Sequence, residues 1–137
     1  AKTTRLSFGK EETGKLLRDV NSKLNTNIND ILLSALSLSL YKLTRLNVNH
    51  VLLEGHGRED IFPDLDITNT VGWFTSMYPV ALPMQNEDIR NLVIGVKESV
   101  RTVPNNGIGY GALYGYNCDE LPYLTFNYLG QFDTHAV

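Results

Sequence analysis

Three ionisable side chains at every second position mark one short segment as the place where this sequence could do chemistry. Glu54, His56 and Arg58 follow a short apolar run, and Gly55 and Gly57 stand between them. Because side chains alternate along an extended strand, the three share one face if the segment is a strand. The glycines then leave the other face open to a ligand or to another backbone. The pattern predicts an acid/base site at the end of a strand.

Glu54 is the strongest candidate for proton transfer in that segment. A carboxylate acts as a base where a cation stabilises its charged form, and as an acid where burial favours its neutral form. Residues 50–58, if extended, give Glu54 a cation on its own face and Leu53 as an apolar neighbour, so both roles stay open. The alternative is an ion pair between Glu54 and Arg58 that only stabilises the strand end.

The composition is typical of a soluble globular domain and argues against two classes of partner. The 137 residues are 42% hydrophobic and 20% charged, and the formal net charge is -3. Without a basic cluster we expect no nucleic-acid partner. The longest apolar stretch, residues 31–41, is shorter than the roughly 20 residues of a membrane span, and we recognise no signal peptide. The single Cys118 cannot form an internal disulfide, which favours a reducing, cytoplasmic setting.

Two other polar patterns carry weaker signals for a bound metal or cofactor. His50, His56 and His135 are far apart in sequence, and no Cys or carboxylate stands beside them at a ligand spacing. We therefore expect no metal site. The glycines of residues 107–111 follow a predicted helix, without the final glycine of a dinucleotide fingerprint or the lysine of a P-loop, so we expect no nucleotide cofactor.

Hydrophobic periodicity predicts alternating helices and strands around this segment. We expect strands at residues 3–8, 51–55, 76–82 and 123–128, a loop at 61–69 and a turn at 105–111. We expect helices at residues 10–24, on the leucines Leu33, Leu36, Leu40 and Leu43, and from Asn86, Glu87 and Asp88 to Pro104. Polar residues at 25–29 are suited to cap the second helix. This order predicts a mixed α/β (α+β) fold in which helices cover a sheet.

Five segments, taken in order, resemble the signature motifs of the epimerization domains of nonribosomal peptide synthetases, a branch of the condensation-domain superfamily. They are spread over residues 30–131 and occur in the order that the family shows. The segments are Asp-Ile-Leu-Leu-Ser-Ala at 30–35, Glu-Gly-His-Gly-Arg-Glu at 54–59, Thr-Val-Gly-Trp-Phe-Thr-Ser-Met-Tyr-Pro at 70–79, Pro-Asn-Asn-Gly-Ile-Gly-Tyr-Gly at 104–111 and Phe-Asn-Tyr-Leu-Gly-Gln at 126–131.

The resemblance implies that residues 1–137 are one half of a larger domain. Such domains consist of two halves similar to chloramphenicol acetyltransferase, with the active site in a tunnel between them. This chain resembles the C-terminal half. The family's other defining motif, a His-His pair followed three residues later by Asp-Gly, belongs to the N-terminal half, and no two histidines are adjacent in this sequence. The resemblance therefore implies that the chain is inactive without its N-terminal partner.

The activity that the resemblance implies is epimerisation of an aminoacyl or peptidyl thioester on the phosphopantetheine arm of a neighbouring carrier domain. The α-proton is removed and returned without a bound cofactor, which requires a base, a second group on the opposite face, and a polarised thioester carbonyl. By motif, Glu54 is one of the two acid/base groups, and the missing histidine is the other.

The same resemblance assigns supporting roles to other residues. His56 and Arg58 would orient Glu54 or tune its charge, with Arg58 also a candidate for a structural pair with Glu59 or Asp60. The motif glycines at 107, 109 and 111 would provide backbone freedom. Asn127 and Tyr128 would line the tunnel near the thioester. Three aromatic residues would either shape the tunnel or fill the core, namely Trp73, Phe74 and Tyr78. For Trp73 we expect the core.

Two other classes of function stay open from the sequence. A condensation-type half-domain would form peptide bonds between carrier-bound substrates. A noncatalytic module would only dock carrier domains, in a manner independent of Glu54. The motif strings at 54–59 and 72–76 favour the epimerization branch over the condensation type.

Overall fold

The computed structural model describes residues 2–84, 88–117 and 119–130. The expectations placed on Asn86, Glu87, Cys118, Gln131 and His135 lie outside these ranges. Within the described part, the element order is helices, two strands, helices and a short third strand. The elements are α1 (Lys10–Gly14), a π-helical turn (Lys15–Asp19), α2 (Val20–Leu24), α3 (Ile28–Thr44), β1 (Val48–Gly55), β2 (Ser76–Pro83), α4 (Ile89–Arg101), a 3-10 turn (Pro104–Gly107), α5 (Tyr110–Tyr114) and β3 (Thr125–Phe126).

The sheet has three described strands in the order β2-β1-β3. β1 pairs with β2 in antiparallel register, with Val51 opposite Val80 and Glu54 opposite Met77. β3 pairs with β1 in parallel, with Phe126 opposite Leu53. This register brings the residues after Phe126 alongside the end of β1.

The core lies between the sheet and helices α3 and α4. Alternate residues of β2 are buried and pack against one face of each helix. This is possible because apolar side chains fall on one face of a strand at every second residue and on one face of a helix at every third or fourth residue. The buried cluster is Leu33, Val51, Leu53, Tyr78, Val80, Leu82, Met84, Leu92 and Val96.

Helix α3 starts where its side chains satisfy the first backbone amides. Asn27 Oδ1 accepts a hydrogen bond from the Asp30 amide at 3.0 Å, and Asp30 Oδ2 accepts one from the Asn27 amide at 2.9 Å. This capping box confirms that the polar segment 25–29 begins the helix. It also places Asn29 in the first turn of α3, a position that matters for the site.

Three predicted elements differ from the structure. Residues 3–8 form no strand and are exposed. An alternating run of six residues needs a partner strand to become β-structure, and no strand in the described ranges pairs with this one. The strand predicted over 123–128 is only Thr125–Phe126, and the predicted turn 105–111 gives way to α5 at Tyr110. The remaining predicted helices and strands among the described residues are confirmed, apart from the π-helical turn inside the first helix.

None of the helices in the described ranges is long and apolar enough to cross a membrane.

Leu82 provides a test of the core. Its side chain is 0% exposed, so Leu82→Ala should lower the free energy of unfolding by about 2 to 5 kcal/mol through lost burial and the cavity left behind. Leu43, which is 81% exposed on α3, is the matched control, and Leu43→Ala should change stability by less than about 0.5 kcal/mol. Urea denaturation measures both. Equal effects at the two positions would contradict this core.

Candidate active site

Glu54 lies at the exit of β1, where two other parts of the chain approach it. Its side chain is exposed, and its Oε2 accepts a hydrogen bond of 2.5 Å from Asn127 Nδ2. The parallel pairing of β3 with β1 explains this contact across 73 residues of sequence, since Asn127 directly follows Phe126. The other oxygen, Oε1, has no hydrogen-bond partner in the described part of the chain. Glu54 is thus held from one side and open on the other.

A pocket of about 420 Å³ opens beside Glu54. Several residues singled out from the sequence line it, namely Glu54, His56, Tyr78, Asn127 and Tyr128. A narrower recess of about 90 Å³ adjoins Glu54, Tyr78 and Tyr128 and is lined on its inner side by apolar residues such as Leu33 and Phe126. A polar pocket with an accessible carboxylate and an apolar recess suits a substrate that carries a reacting polar centre and a side chain.

Asn29, Glu59 and Asn106 also line the pocket, in roles that the sequence did not indicate. Asn29 lies in the first turn of α3, and Asn106 lies in the 3-10 turn. Neither position carries a local signal for a site, because an asparagine at a helix start or in a turn is usual for structural reasons. Only the tertiary fold brings these amides together.

His56 contacts Glu59 rather than Glu54. Its Nε2 lies 3.3 Å from Glu59 Oε1, and its Nδ1 accepts a hydrogen bond of 2.9 Å from the Arg58 amide. The expected common face of Glu54, His56 and Arg58 is wrong, since β1 ends at Gly55 and Gly57 has a φ of +67°, which breaks the strand alternation. The structure shows no contact of His56 with Glu54 that would orient it.

Arg58 holds a loop, and the expected ion pairs with Glu54, Glu59 or Asp60 are wrong. Its guanidinium donates hydrogen bonds to the carbonyl oxygens of Ile67 at 2.7 Å and Thr70 at 2.9 Å. The same group lies 4.2 Å from the centroid of the Phe74 ring. Among the described residues, Lys15 and Glu11 form an ion pair, and His56 Nε2 lies 3.3 Å from Glu59 Oε1. Arg58 therefore anchors the segment that leads into β2.

Replacing Arg58 by Lys should loosen this loop, because a single ammonium cannot reproduce the planar fork or stack on the ring. We expect the free energy of unfolding to fall by about 1 to 3 kcal/mol, with faster amide exchange around residues 67–70. Arg45→Lys is the matched control: Arg45 lies 6.0 Å from the Tyr41 ring centroid, so we expect less than about 0.5 kcal/mol. Equal losses in the two variants would contradict the anchoring role.

The aromatic residues separate into three environments. Trp73 is 91% exposed, so the expectation that it fills the core is wrong. It lies in the irregular segment before β2, where no described element covers it, whereas the neighbouring Phe74 packs under Arg58. Tyr78 is buried in the core and also borders the pocket. Burial raises the pKa of Tyr78, and the charge of Glu59 raises it further.

Two motif glycines are required by close contacts, and one is not. A Cβ at Gly107, which has a φ of +75°, would lie 2.1 Å from the Tyr78 ring. A Cβ at Gly111 would lie 2.3 Å from the ring of Tyr116. Gly109 has ordinary helical backbone angles and no contact closer than 4.0 Å. The backbone freedom expected of this motif is confirmed at Gly107.

The side chains at the site suit acid/base chemistry better than metal binding. Among the residues that the structure describes, no three His, Cys, Asp or Glu side chains come together as a metal-binding group. Glu54 offers an accessible carboxylate, while Asn29, Asn106 and Asn127 offer amide groups around the same pocket. Such a set can take up or return a proton and can donate hydrogen bonds to a carbonyl oxygen.

Comparisons with known proteins agree with this architecture. The chain is 47% identical over 140 residues to bacitracin synthase 2 of Bacillus licheniformis, covering 97% of this chain and 5% of that protein. It is 46% identical over 135 residues to gramicidin S synthase 1 of Brevibacillus brevis, covering 90% of this chain and 12% of that protein. The chain thus spans only a small part of the length of these relatives.

Two solved structures share the fold. The epimerization domain from the third module of tyrocidine synthetase B superposes with a TM-score of 0.82 and 39% identity, over 93% of this chain and 30% of that one. The first condensation domain of the CDA synthetase superposes with a TM-score of 0.71 over 89% of this chain and 28% of that one, at 14% identity, which shows the fold alone. The expected chloramphenicol-acetyltransferase-like α/β fold is confirmed. The condensation domain family model matches residues 1–136, and the chain belongs to that family.

Proposed function

We propose that this chain is the C-terminal half of an epimerization domain in a nonribosomal peptide synthetase, and that Glu54 transfers the α-proton. The support is the order of the five motifs together with the 39% identity to an epimerization domain that superposes over 93% of the chain. The substrate is an aminoacyl or peptidyl thioester presented on the phosphopantetheine arm of a carrier domain.

The geometry of Glu54 is the observation that carries the proposal. Asn127 holds one carboxylate oxygen, the other has no hydrogen-bond partner among the described residues, and Glu54 lines an open pocket. No cationic side chain among the described residues forms an ion pair with Glu54. Glu54 therefore combines a defined orientation with an accessible carboxylate oxygen, as a general base requires.

Inversion needs a second group on the opposite face of the substrate. In the proposal this group comes from the N-terminal half, because adjacent histidines are absent from this sequence. One group removes the α-proton, the thioester enolate forms, and the other group returns a proton from the opposite side. Asn127 positions Glu54, and Tyr128 borders the pocket where the thioester would lie. The reaction uses acid/base groups alone.

The proposal is tested by combining the chain with an N-terminal half of the same family and a carrier loaded with an L-aminoacyl group. After hydrolysis of the thioester, chiral chromatography should show the D enantiomer accumulating. The chain without the N-terminal half should leave the substrate in the L form. A dipeptide formed with a second loaded carrier, at unchanged configuration, would instead identify a condensation-type half-domain.

A carrier that binds the combined halves without any reaction would identify a noncatalytic docking module. In that case, binding should be the same in the wild-type chain and in a Glu54→Gln variant.

A further inference from the structure

The pocket holds a second carboxylate, Glu59, whose surroundings differ from those of Glu54. Glu59 Oε1 lies 3.3 Å from His56 Nε2, and Oε2 accepts a hydrogen bond of 2.7 Å from Asn106 Nδ2. Its side chain is 17% exposed. Both oxygens thus have a polar neighbour, whereas Glu54 keeps one oxygen without a hydrogen-bond partner among the described residues. A carboxylate enclosed in this way is less accessible to a substrate proton than an exposed one.

The contact with His56 fixes the imidazole. Because Nδ1 accepts the hydrogen bond from the Arg58 amide, it carries no proton, and the ring proton is on Nε2. Nε2 then faces Glu59 Oε1 at 3.3 Å. The ring is held in one tautomer and one orientation at the mouth of the pocket, although its side chain is 68% exposed.

The contact with Asn106 holds a turn in an uncommon conformation. Asn105 and Asn106 both have left-handed backbone angles, with φ of +47° and +48°, and Gly107 follows at +75°. Asparagine tolerates this region better than most residues, but successive left-handed residues need external support. The hydrogen bond from Asn106 to Glu59, which spans 47 residues of sequence, supplies it.

That turn forms part of the pocket wall. Gly107 lies directly against the Tyr78 ring, where a Cβ would approach to 2.1 Å. The Asn106 carbonyl oxygen lies 3.6 Å from the position of a Cβ on Gly55, the residue after Glu54. A displacement of the turn would therefore move the wall beside Glu54. Glu59 and Tyr78 line the same pocket.

We infer that Glu59 is a positioning residue, which orders His56 and the Asn105–Gly107 turn so that the pocket wall is set around Glu54. This inference rests on the proposed function and deepens it, because it separates the two carboxylates of one pocket. Glu54 transfers the proton, and Glu59 holds the structure in which the transfer occurs.

The test measures the epimerisation rate of the combined halves with Glu59→Gln, Asn106→Gly and the double variant. Glycine keeps the left-handed backbone and removes only the amide that bonds to Glu59. Each single variant should lower kcat by roughly 10- to 100-fold with a smaller change in KM, since misplacement by about 1 Å costs up to about 100-fold. The double variant should be no slower than the slower single variant, because both break the same link.

The pH dependence separates positioning from proton transfer. Glu59→Gln should keep both limbs of the pH–rate profile that the wild type shows, at a lower rate. Loss of one limb would overturn the inference, since Glu59 would then transfer the proton itself. A rate within twofold of the wild type, or losses that multiply in the double variant, would overturn it too.

A spectroscopic readout does not depend on the reaction. In the chain itself, amide hydrogen exchange measured by NMR at Asn105–Gly107 should be faster in Glu59→Gln than in the wild type, because a neutral side chain accepts a weaker hydrogen bond from Asn106. An unchanged exchange rate overturns the inference. If the wild-type halves show no epimerisation while exchange at the turn changes as expected, the proposed function fails and the ordering of the turn by Glu59 stands.

Discussion

Glu54→Gln should reduce the rate of epimerisation by about 100- to 10,000-fold, the range expected when a general acid/base is removed. Glutamine has the same size as glutamate, and its side-chain oxygen can still accept the hydrogen bond from Asn127 Nδ2. The variant therefore keeps the shape of the site and loses only the group that exchanges a proton. KM should change little, because the carboxylate acts on the reacting proton rather than on the rest of the substrate.

Glu98→Gln is the matched control for this change. Glu98 is exposed on α4 and does not line the pocket, so the same substitution there should leave the rate within twofold. The free energy of unfolding of both variants should lie within about 0.5 kcal/mol of the wild-type value in denaturant titrations. An undiminished rate in Glu54→Gln would remove Glu54 from the mechanism.

Gly57→Ala should be the most damaging single change to the fold near the site. Gly57 has a φ of +67°, and a Cβ at this position would lie 1.6 Å from the Phe74 carbonyl oxygen. Backbone strain of about 1 to 3 kcal/mol and overpacking of about 1 to 3 kcal/mol together predict a loss of about 2 to 6 kcal/mol in the free energy of unfolding. Urea denaturation measures it.

Gly115→Ala separates the two contributions. Gly115 also has a positive φ, of +73°, but nothing lies within 4 Å of a Cβ built there. In this variant the free energy of unfolding should fall only by the cost of backbone strain, about 1 to 3 kcal/mol. If the two substitutions cost the same, the close approach of Gly57 to the Phe74 backbone is not what stabilises the exit of β1.

The parts of the fold with a strong local signal could be predicted from the sequence. Helix α3 has leucines at helical spacing and a capping box between Asn27 and Asp30, and β2 alternates buried and half-buried residues over Ser76–Pro83. Each local signal agrees with the tertiary environment in these elements. Residues 3–8 carry a similar alternation but have no partner strand within the described ranges, and a strand depends on its partner more than a helix does.

The sequence singles out Glu54 as a candidate and does not indicate which residues contact it or its neighbours. Glu54 stands out because an ionisable residue follows an apolar strand. The partners of His56 and Arg58 could not be read from spacing, because the φ of Gly57 redirects the chain after β1. Asn106 reaches Glu59 across 47 residues, and Asn127 reaches Glu54 across 73, through strand pairing and turn packing that no local pattern encodes.

Solvent deuterium at the α-carbon of the carrier-bound aminoacyl group tests the central claim most directly. The combined halves, incubated in heavy water with L- or D-loaded carrier, should give a product of opposite configuration that carries deuterium at the α-carbon. Glu54→Gln should slow the formation of this deuterated product from both enantiomers by the same factor of about 100 to 10,000. A product that keeps its original α-proton, or a dipeptide formed without any deuterium at that carbon, would contradict proton transfer by Glu54.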